Sequence, residues 1–182
     1  AESPLYDIEQ ELKESNRTKK TINPICEVAN VKDRYRMDTI FDNYRPNIVY
    51  HAAAYKHVPI IEKSPYEGIF VNVFGTRIVA DTALRYGVER FVMVSTDKAV
   101  NPTNVMGATK RVAELYTQSL NEHGKTKFIA TRFGNVLGSN GSVVPLFRKQ
   151  IEAGGPITVT HEEITRYFMT IPEACNLVLE AG

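Results

Sequence analysis

The sequence predicts an α/β fold built on a doubly wound parallel sheet. Strand-like and helix-like segments alternate along the 182 residues, which is typical of a parallel sheet covered by helices on both faces. Hydrophobic residues make up 43% of the chain and charged residues 24%, both close to the average of soluble globular domains. A chain of this size forms one domain and loses roughly 70% of its unfolded surface on folding.

Local signals define the elements of the N-terminal half. Ser3 and Pro4 suit the N-cap and the first position of a helix. Asp33 suits the N-cap of a second helix, which Pro46 prevents from continuing. Gly87 is placed to cap the C-terminus of a third helix. The predicted elements are a helix over 4–15, a strand over 21–28, a helix over 34–43, a buried strand over 47–51 and a helix over 72–86.

The C-terminal half continues the alternation, and its crossover connections should be right-handed. Its predicted elements are a strand over 90–95, a helix over 105–121, a strand over 128–132, a helix over 144–153, a strand over 157–160 and a closing helix from Pro172.

Charge, cysteine and histidine patterns exclude several classes of protein. The 22 basic and 21 acidic residues give a net charge of +1, which is no electrostatic footprint for nucleic acid. No segment is long and apolar enough to cross a membrane, and no signal peptide opens the chain. Cys26 and Cys175 lack a Cys-x-x-Cys spacing, so they are interpreted as reduced, structural thiols. The four histidines lack the spacing of metal ligands, and the composition is that of a cytoplasmic enzyme core.

The most informative stretch follows the strand over 90–95. That strand delivers Thr96, Asp97 and Lys98 to its carboxyl end, where open α/β sheets bind their ligands. Met106 and Lys110 follow on a helix and share one of its faces, because they are four residues apart. The alternative for Asp97 and Lys98 is a pair of residues that caps a loop.

This stretch carries a resemblance to a known family. Met106 and Lys110 have the Tyr-x-x-x-Lys layout of the short-chain dehydrogenase/reductase superfamily, with methionine in place of tyrosine. Ser-Thr-Asp-Lys-Ala at 95–99 and Asn-Pro-Thr-Asn-Val-Met-Gly-Ala-Thr-Lys-Arg at 101–111 resemble extended members, the UDP-N-acetylglucosamine 4,6-dehydratases of bacterial capsule and glycan synthesis. The resemblance covers essentially the whole chain. It implies a Rossmann-like fold, an NAD or NADP cofactor and a UDP-sugar substrate.

One part of the Rossmann-like pattern is not in the sequence. A dinucleotide-binding unit has a first strand and a Gly-x-Gly-x-x-Gly-like turn at a helix N-terminus, which takes the pyrophosphate. The chain contains no such turn, and its opening residues resemble the family's second helix. We therefore expect a fragment that binds dinucleotide weakly on its own. The expected division is an NAD(P)-binding part over 1–132 and a nucleotide-sugar-binding part over 133–182, both incomplete.

The resemblance implies catalytic roles at the strand end. In a 4,6-dehydratase the cofactor takes the hydride from C4 of the sugar, water is eliminated across C5 and C6, and the hydride returns to C6. Lys98 is expected to remove the C5 proton and Asp97 to protonate the leaving hydroxyl, so both should be held neutral. Lys110 is expected at the nicotinamide ribose. Met106 cannot accept the C4 hydroxyl proton, so Thr96, or a water that it positions, is the candidate.

The resemblance also implies binding residues. Those expected at the cofactor are Asn30, Ala52, Ala53, Asn72, Ser95 and Lys110, and those expected at the sugar nucleotide are Lys56, Asn135, Ser142, Thr158 and Arg166. Asn30 stands where relatives carry an aspartate for the adenine amino group, and its amide oxygen can accept the same bond. The alternatives are close packing for the two alanines, an N-cap for Asn72 and a surface salt bridge for Arg166.

The resemblance leaves two other functions open and suggests an assembly. A C4 epimerase or reductase would use the same fold, although it would not need Asp97 and Lys98. A non-catalytic nucleotide-binding module is the other alternative. The full-length protein is expected to be anchored in the inner membrane with this domain facing the cytoplasm. It is also expected to be a homo-oligomer that pairs through the helices over 72–86 and 105–121.

Overall fold

The computed structural model describes residues 2–19, 23–139, 141–159 and 161–182. Its helices are α1 Glu2–Lys19, α2 Arg34–Tyr44, α3 Val58–Lys63, α4 Pro65–Gly68, α5 Thr76–Arg85, α6 Val105–Ser119, α7 Val143–Glu152 and α8 Ile171–Glu180. A π-helical segment, Ile69–Gly75, joins α4 to α5, and short 3-10 turns follow β2 and α6. The strands are β1 Ile48–His51, β2 Arg90–Thr96, β3 Lys127–Phe133, β4 Asn135–Val136 and β5 Phe168–Met169.

The main sheet is parallel and has the order β1-β2-β3. Its central strand, β2, is the most deeply buried, and Phe91, Val92 and Met93 have no exposed surface. The chain passes from β1 to β2 through α3 to α5, and from β2 to β3 through α6. A second parallel pair, β4-β5, follows. The α/β fold with a parallel, Rossmann-like sheet is therefore confirmed.

Helix ends follow the local chemistry of the sequence. The side chain of Asp33 accepts a hydrogen bond from the backbone N–H of Arg36 at 3.0 Å and caps α2 as predicted. Gly87 has a φ of 68°, a left-handed conformation that favours glycine, and its N–H donates to the carbonyl of Leu84 at 3.2 Å. It therefore ends α5 at the predicted place.

Four details of the predicted elements are wrong. α1 begins at Glu2, so Ser3 lies inside the helix and does not cap it. Residues 23–28 and 157–159 are irregular, because neither stretch pairs with a strand among the described residues, while 21–22 and 160 lie outside that part. The strand over 47–51 is only partly buried. Ile48 and Tyr50 are exposed, because β1 pairs with β2 on one side only within the described chain.

The prediction of a helix start at Asn72 is also wrong. Helical structure begins at Pro65 and passes without a break through the π-helical segment Ile69–Gly75 into α5. Asn72 is therefore in the middle of this helical run and is fully buried. Its preference for N-caps is a local tendency, and tertiary hydrogen bonds, described below, fix it elsewhere.

The hydrophobic core lies between the main sheet and the helices α2, α5 and α6. Its centre is Phe91 of β2, whose ring centroid is 5.3 Å from that of Phe128 on β3. Met37 and Phe41 of α2 join the same cluster. The core thus holds the carboxyl ends of β1, β2 and β3 at one edge.

In the part of the chain that the structure describes, no helix combines the length and apolarity needed to cross a membrane.

Candidate active site

The site is built at the carboxyl end of β2, where the buried strand turns into the 3-10 turn Asp97–Ala99. The hydroxyl of Thr96 donates to Oδ1 of Asp97 at 2.9 Å. The ammonium of Lys98 donates to the same carboxylate oxygen at 3.0 Å. The three predicted catalytic side chains are therefore in direct contact, and the carboxylate of Asp97 joins the other two.

This contact corrects the expectation that Asp97 is held neutral. Burial raises the pKa of the Asp97 carboxyl, but the hydrogen bonds from Lys98 and Thr96 outweigh it, so the pKa lies below its usual value. Without substrate, Asp97 is therefore a carboxylate that is paired with the ammonium of Lys98. The sequence analysis expected the two groups to titrate as one coupled unit whose uncharged forms are favoured by burial and substrate binding, and their contact at 3.0 Å is the geometry that such coupling needs.

The next helix, α6, presents Met106 and Lys110 to the same place. The ammonium of Lys110 donates to the carbonyl oxygen of Val94 on β2 at 2.6 Å, and the residue is only 6% exposed. Burial lowers its pKa to about 8. Met106 is 4% exposed and packs where the superfamily has a tyrosine. The layout on one helix face is thus as predicted.

A glycine lets α6 approach the turn that carries Lys98. A Cβ on Gly107 would collide with the backbone carbonyl oxygen of Lys98. The side chain of Asn104 caps the helix by accepting from the N–H of Gly107 at 2.8 Å. A further carboxylate, Glu62 of α3, accepts from the N–H of Val105 at 2.6 Å. The helix that carries Lys110 is therefore fixed at its first turn from two sides.

Thr96, Lys98, Met106 and Lys110 line a cavity of about 600 Å³, whereas Asp97 does not line it and reaches it only through its contacts with Thr96 and Lys98. Its lining includes nine residues that the sequence analysis assigned to the site, namely Ala52, Lys56, Ser95, Thr96, Lys98, Met106, Lys110, Asn135 and Ser142. Asn135 also contacts the catalytic group, because its Oδ1 lies 3.5 Å from the ammonium of Lys98. A cavity of this size matches the usual volume of a small-molecule site.

Five of the assigned binding residues do not line the cavity. The side chain of Asn30 accepts from the N–H of Lys32 at 3.0 Å and so closes a turn before α2. Thr158 exchanges two hydrogen bonds with Gln150, and Arg166 is exposed and donates to a neighbouring carbonyl oxygen. Ala53 and Asn72 are the other two.

Asn72 contributes to the site indirectly. Its Oδ1 accepts from the backbone N–H of Tyr55 at 2.8 Å, and its Nδ2 donates to the backbone carbonyl of Tyr55 and to Thr109, each at 3.0 Å. Tyr55 precedes Lys56 in the loop after β1, and both line the cavity. Asn72 thus fixes the wall of the cavity between β1 and α6, and the interpretation of this residue as an N-cap is wrong.

Other lining residues were missed by the sequence analysis. His57 lines the cavity and its ring packs against Gly141, at the start of α7. Its position directly after Lys56 was a signal that could have found it. Cys175 of α8 also lines the cavity, with a free thiol, and no local pattern marks it. No group of three His, Cys, Asp or Glu residues within the described ranges is placed to hold a metal ion.

A family described as polysaccharide biosynthesis protein matches residues 1–182, the full chain. The chain belongs to this polysaccharide biosynthesis family. Its Rossmann-like sheet and its Met-x-x-x-Lys pair identify it as an extended short-chain dehydrogenase/reductase within that family.

Relatives in the polysaccharide biosynthesis family are considerably longer. The capsular polysaccharide biosynthesis protein CapD of Staphylococcus aureus is 56% identical over 182 residues, which are 100% of this chain and 30% of CapD. An inverting UDP-N-acetylglucosamine 4,6-dehydratase of Campylobacter jejuni is 39% identical over 84% of this chain and 46% of its own length. A UDP-glucose 4-epimerase of Rickettsia rickettsii is 42% identical over 74% of this chain and 40% of its length. The chain therefore spans less than half the length of each of these relatives.

A solved structure has the same fold. The X-ray structure of Pen from Bacillus thuringiensis matches with a TM-score of 0.83 and 35% sequence identity, over 96% of this chain and 56% of that chain. The chain therefore shares its fold with this solved structure, whereas its chemistry depends on the residues of the site.

Proposed function

We propose that the full-length protein is a nucleotide-sugar 4,6-dehydratase that converts UDP-N-acetylglucosamine into a UDP-4-keto-6-deoxy sugar for polysaccharide or protein-glycan synthesis. The observation that carries the proposal is the contact of Asp97 with both Thr96 and Lys98, two residues that line the cavity together with Met106. An elimination of water needs an acid and a base on neighbouring carbons. Asp97 and Lys98 supply one of each.

The residues of this chain fit one half of a nicotinamide dinucleotide. Small side chains at Ala52 and Ala54 leave room along the wall of the cavity, and Ser95 and Lys110 provide polar groups for a ribose. NAD or NADP would supply the hydride acceptor for C4 oxidation and the hydride donor for C6. The sequence has no Gly-rich turn for the pyrophosphate, so weak binding of dinucleotide by this chain alone stays a prediction.

The contact between Asp97 and Lys98 suggests how both groups become neutral. Transfer of one proton from the Lys98 ammonium to Oδ1 of Asp97, 3.0 Å away, produces a carboxylic acid and a free amine together. The charge of the pair does not change, so burial under substrate favours the neutral form. Lys98 then takes the C5 proton and Asp97 gives its proton to the leaving C6 hydroxyl.

Thr96 is the proposed acceptor of the C4 hydroxyl proton. Its hydroxyl donates to Asp97 at 2.9 Å without substrate. Because Asp97 takes the proton of Lys98 when substrate binds, Thr96 would accept the C4 proton as it gives its own proton to a water. Met106 has no group that takes a proton and supplies only packing. Thr96 therefore performs the task of the missing tyrosine, directly or through a water.

The wall of the cavity at the N-terminus of α7 suits the sugar nucleotide. Ser142 is the N-cap residue of α7, makes no side-chain cap bond, and lines the cavity together with Lys56 and Asn135. A ten-residue helix with its N-terminus toward a cavity favours an anion such as a diphosphate. The assignments of Thr158 and Arg166 to the nucleotide stay predictions, because neither residue lines the cavity.

The test is to incubate the purified full-length protein with UDP-N-acetylglucosamine and to detect the 4-keto-6-deoxy product by mass spectrometry and NMR. Asp97→Asn and Lys98→Met should abolish loss of water while allowing C4 oxidation. Transient absorbance of reduced nicotinamide without product would reveal this uncoupling. Unimpaired dehydration by both variants would exclude the dehydratase mechanism.

A second candidate is a C4 epimerase, which the similarity to the Rickettsia epimerase favours. Epimerisation needs oxidation and reduction at C4 only, so Asp97 and Lys98 would have no proton to transfer at C5 or C6. The same incubation would then give UDP-N-acetylgalactosamine without loss of water. A non-catalytic module would leave the substrate unchanged.

We also propose that the full-length protein is anchored in the inner membrane with this domain on the cytoplasmic side. The resemblance to the membrane-anchored dehydratase branch supports this arrangement. Fractionation of cells that express the full-length protein, followed by protease treatment of inverted and right-side-out vesicles, would test both the anchor and its orientation.

A further inference from the structure

A buried carboxylate lies behind the active-site lysine and has no part in the proton transfers proposed above. Glu114 is on α6, has no exposed surface, and lies one helical turn after Lys110. A fully buried carboxylate is costly unless it is paired and hydrogen-bonded. Such a group therefore needs a structural or functional reason for its position.

The carboxylate is held by two arginines. Nε of Arg132 on β3 donates to one oxygen of Glu114 at 2.8 Å, and Nη2 donates to the other at 2.5 Å. Arg111 donates a third hydrogen bond at 3.2 Å. Burial raises the pKa of Glu114, but the hydrogen bonds from the arginines outweigh it, so Glu114 is ionised at neutral pH. The forked geometry of Arg132 fixes the position of the carboxylate as well as its charge.

α6 also contacts β2, through a residue one helical turn before Glu114. Lys110 donates to Val94 of β2, while Arg132 of β3 pairs in register with Ser95, the residue after Val94. α6 is therefore fastened to β2 through Lys110 and to β3 through Glu114. Any movement of Glu114 would rotate or shift the turn that presents Lys110 to the cavity.

We propose that Glu114, clamped by Arg132, is a positioning residue that sets both the orientation and the charge of Lys110. In the described part of the chain Lys110 has no carboxylate in ion-pair contact, and Glu114 is the negative group that favours its protonated form. The role of Lys110 at the cofactor rests on the proposed function. The electrostatic link between Glu114 and Lys110 does not.

The other charged or titratable groups near Lys110 do not replace Glu114. His51 of β1 is neutral, because burial and then the positive charge of Lys110 lower its pKa to about 4. Lys98 lines the same cavity and is cationic, and the negative charge of Asp97 is paired with it. Loss of the charge of Glu114 should therefore lower the pKa of Lys110 further.

The experiment measures the titration of Lys110 directly, by NMR of lysines labelled with ¹³C at the ε position in the full-length protein. A Lys110→Arg variant assigns the signal. Glu114→Gln should move the apparent pKa of Lys110 down by about one pH unit, the lower end of the effect of a nearby opposite charge. Glu122→Gln, which changes an exposed carboxylate just after α6, is the matched control and should not move it.

The pH dependence of dehydration provides a second measurement. In Glu114→Gln the alkaline limb of the kcat profile should move to lower pH with the titration of Lys110. Arg132→Lys keeps the positive charge but loses the fork, so it should lower kcat by roughly tenfold or more through misplacement and leave the limb unmoved. Circular dichroism verifies that each variant is folded.

The outcomes distinguish failure of the role proposed for Glu114 from failure of the proposed dehydratase function. An unchanged titration of Lys110 in folded Glu114→Gln would overturn the electrostatic role. If that variant does not fold, wild-type kcat in Arg132→Lys overturns the positioning role, and the expected loss supports it. A shifted titration in a protein that turns over no UDP-sugar would support this inference while contradicting the proposed function.

Discussion

Among single residues, Met106 and Thr96 provide the test of how the C4 hydroxyl would lose its proton in the proposed dehydratase. Met106 is 4% exposed and supplies packing, whereas the Thr96 hydroxyl is hydrogen-bonded to Asp97. We expect Thr96→Val in the full-length enzyme to lower kcat by about 10²–10⁴, the usual value of general acid–base assistance. Met106→Leu should retain most of the turnover, because the volume is nearly conserved.

Steady-state kinetics on both variants, with reduced-nicotinamide absorbance followed in single turnovers, checks this prediction. Leucine is preferable to alanine at position 106, because truncation of a buried methionine costs about 2–5 kcal/mol of stability and would confuse the comparison. Wild-type turnover in Thr96→Val would show that another group accepts the proton.

A second residue gives a prediction about acid stability. His51 is buried, and its Nε2 donates to Thr76 at 2.9 Å, since the Thr76 hydroxyl itself donates to the carbonyl of Asn72. Burial lowers its pKa to about 4. Between pH 6.5 and 4 the unfolded chain binds a proton at this residue that the folded chain does not. The free energy of unfolding should therefore fall as the pH is lowered through that range.

The measurement is urea unfolding of wild type and His51→Gln at several pH values. The wild type should lose about 1.5 kcal/mol more than the variant between pH 6.5 and 5. Carboxylates with lowered pKa, such as Asp97 and Glu114, affect stability mainly below that interval, because their unfolded pKa values are close to 4. Parallel pH profiles for the two proteins would contradict the assignment of a neutral, buried His51.

Among elements, the π-helical segment Ile69–Gly75 can be compared with the turn after α6, because each contains an asparagine that binds the backbone of another segment. Its Asn72 bonds the backbone N–H and carbonyl of Tyr55, in the loop that lines the cavity. Asn121, after α6, makes the same two bonds to the backbone of Phe128 at 2.8 and 3.1 Å, on β3. The two asparagines thus have the same chemistry at two different places in the fold.

We expect Asn72→Ala and Asn121→Ala each to lower the free energy of unfolding by about 1–3 kcal/mol, the cost of leaving backbone groups unpaired. Only Asn72→Ala should also raise KM for the sugar nucleotide, because only its loop carries Lys56 to the cavity. Denaturant unfolding and steady-state kinetics measure the two effects. Equal KM values for the two variants would show that the hydrogen bonds of Asn72 do not affect binding of the sugar nucleotide.

The elements that the sequence predicted well have strong local chemistry. Asp33 and Gly87 were placed correctly because capping needs only a side chain or a positive φ at one position. The strands predicted over 21–28 and 157–160 are absent over the described residues 23–28 and 157–159, because a strand needs a partner and the sequence pattern does not provide one. Asn72 failed for a similar reason, since its partner Tyr55 lies in another element.

The site was predictable where its residues follow strand ends or share a helix face. Thr96, Lys98 and Lys110 line one cavity, because parallel strands end at one edge of the sheet. Arg166 and Thr158 could not be placed in this way, since they lie in irregular segments whose position depends on tertiary contacts. The ionised state of Asp97 without substrate depends on a contact of 3.0 Å with Lys98, a distance that the sequence does not show.

In the whole molecule, the cavity joins two parts of the chain. Ala52, Lys98 and Lys110 come from the main sheet and its helices, whereas Ser142 and Cys175 come from α7 and α8 after residue 132. Residues on both sides of position 132 therefore line one cavity, and the division of the chain at that residue stays a prediction.

Apolar residues on two helical elements lead to a prediction about assembly. Phe70 and Phe74 of the π-helical segment are exposed, with ring centroids 5.7 Å apart. Val112 and Leu115 of α6 are also exposed, and they lie three residues apart on one helix face. α6 packs against the π-helical segment, and we expect these side chains to form one apolar surface. Such surfaces on soluble proteins are commonly covered by another protein.

We expect the full-length protein to form a homodimer through this surface, with sedimentation equilibrium at micromolar concentration giving twice the mass of one chain. The double variant Phe74→Glu/Leu115→Glu should sediment as a monomer, because two buried and unpaired charges on each subunit cost more than a typical interface provides. Ile151→Glu on α7 changes an equally exposed apolar residue elsewhere and should leave the dimer intact. A wild-type protein that sediments as a monomer at these concentrations, or a double variant that remains dimeric, would exclude pairing through α6 and the π-helical segment.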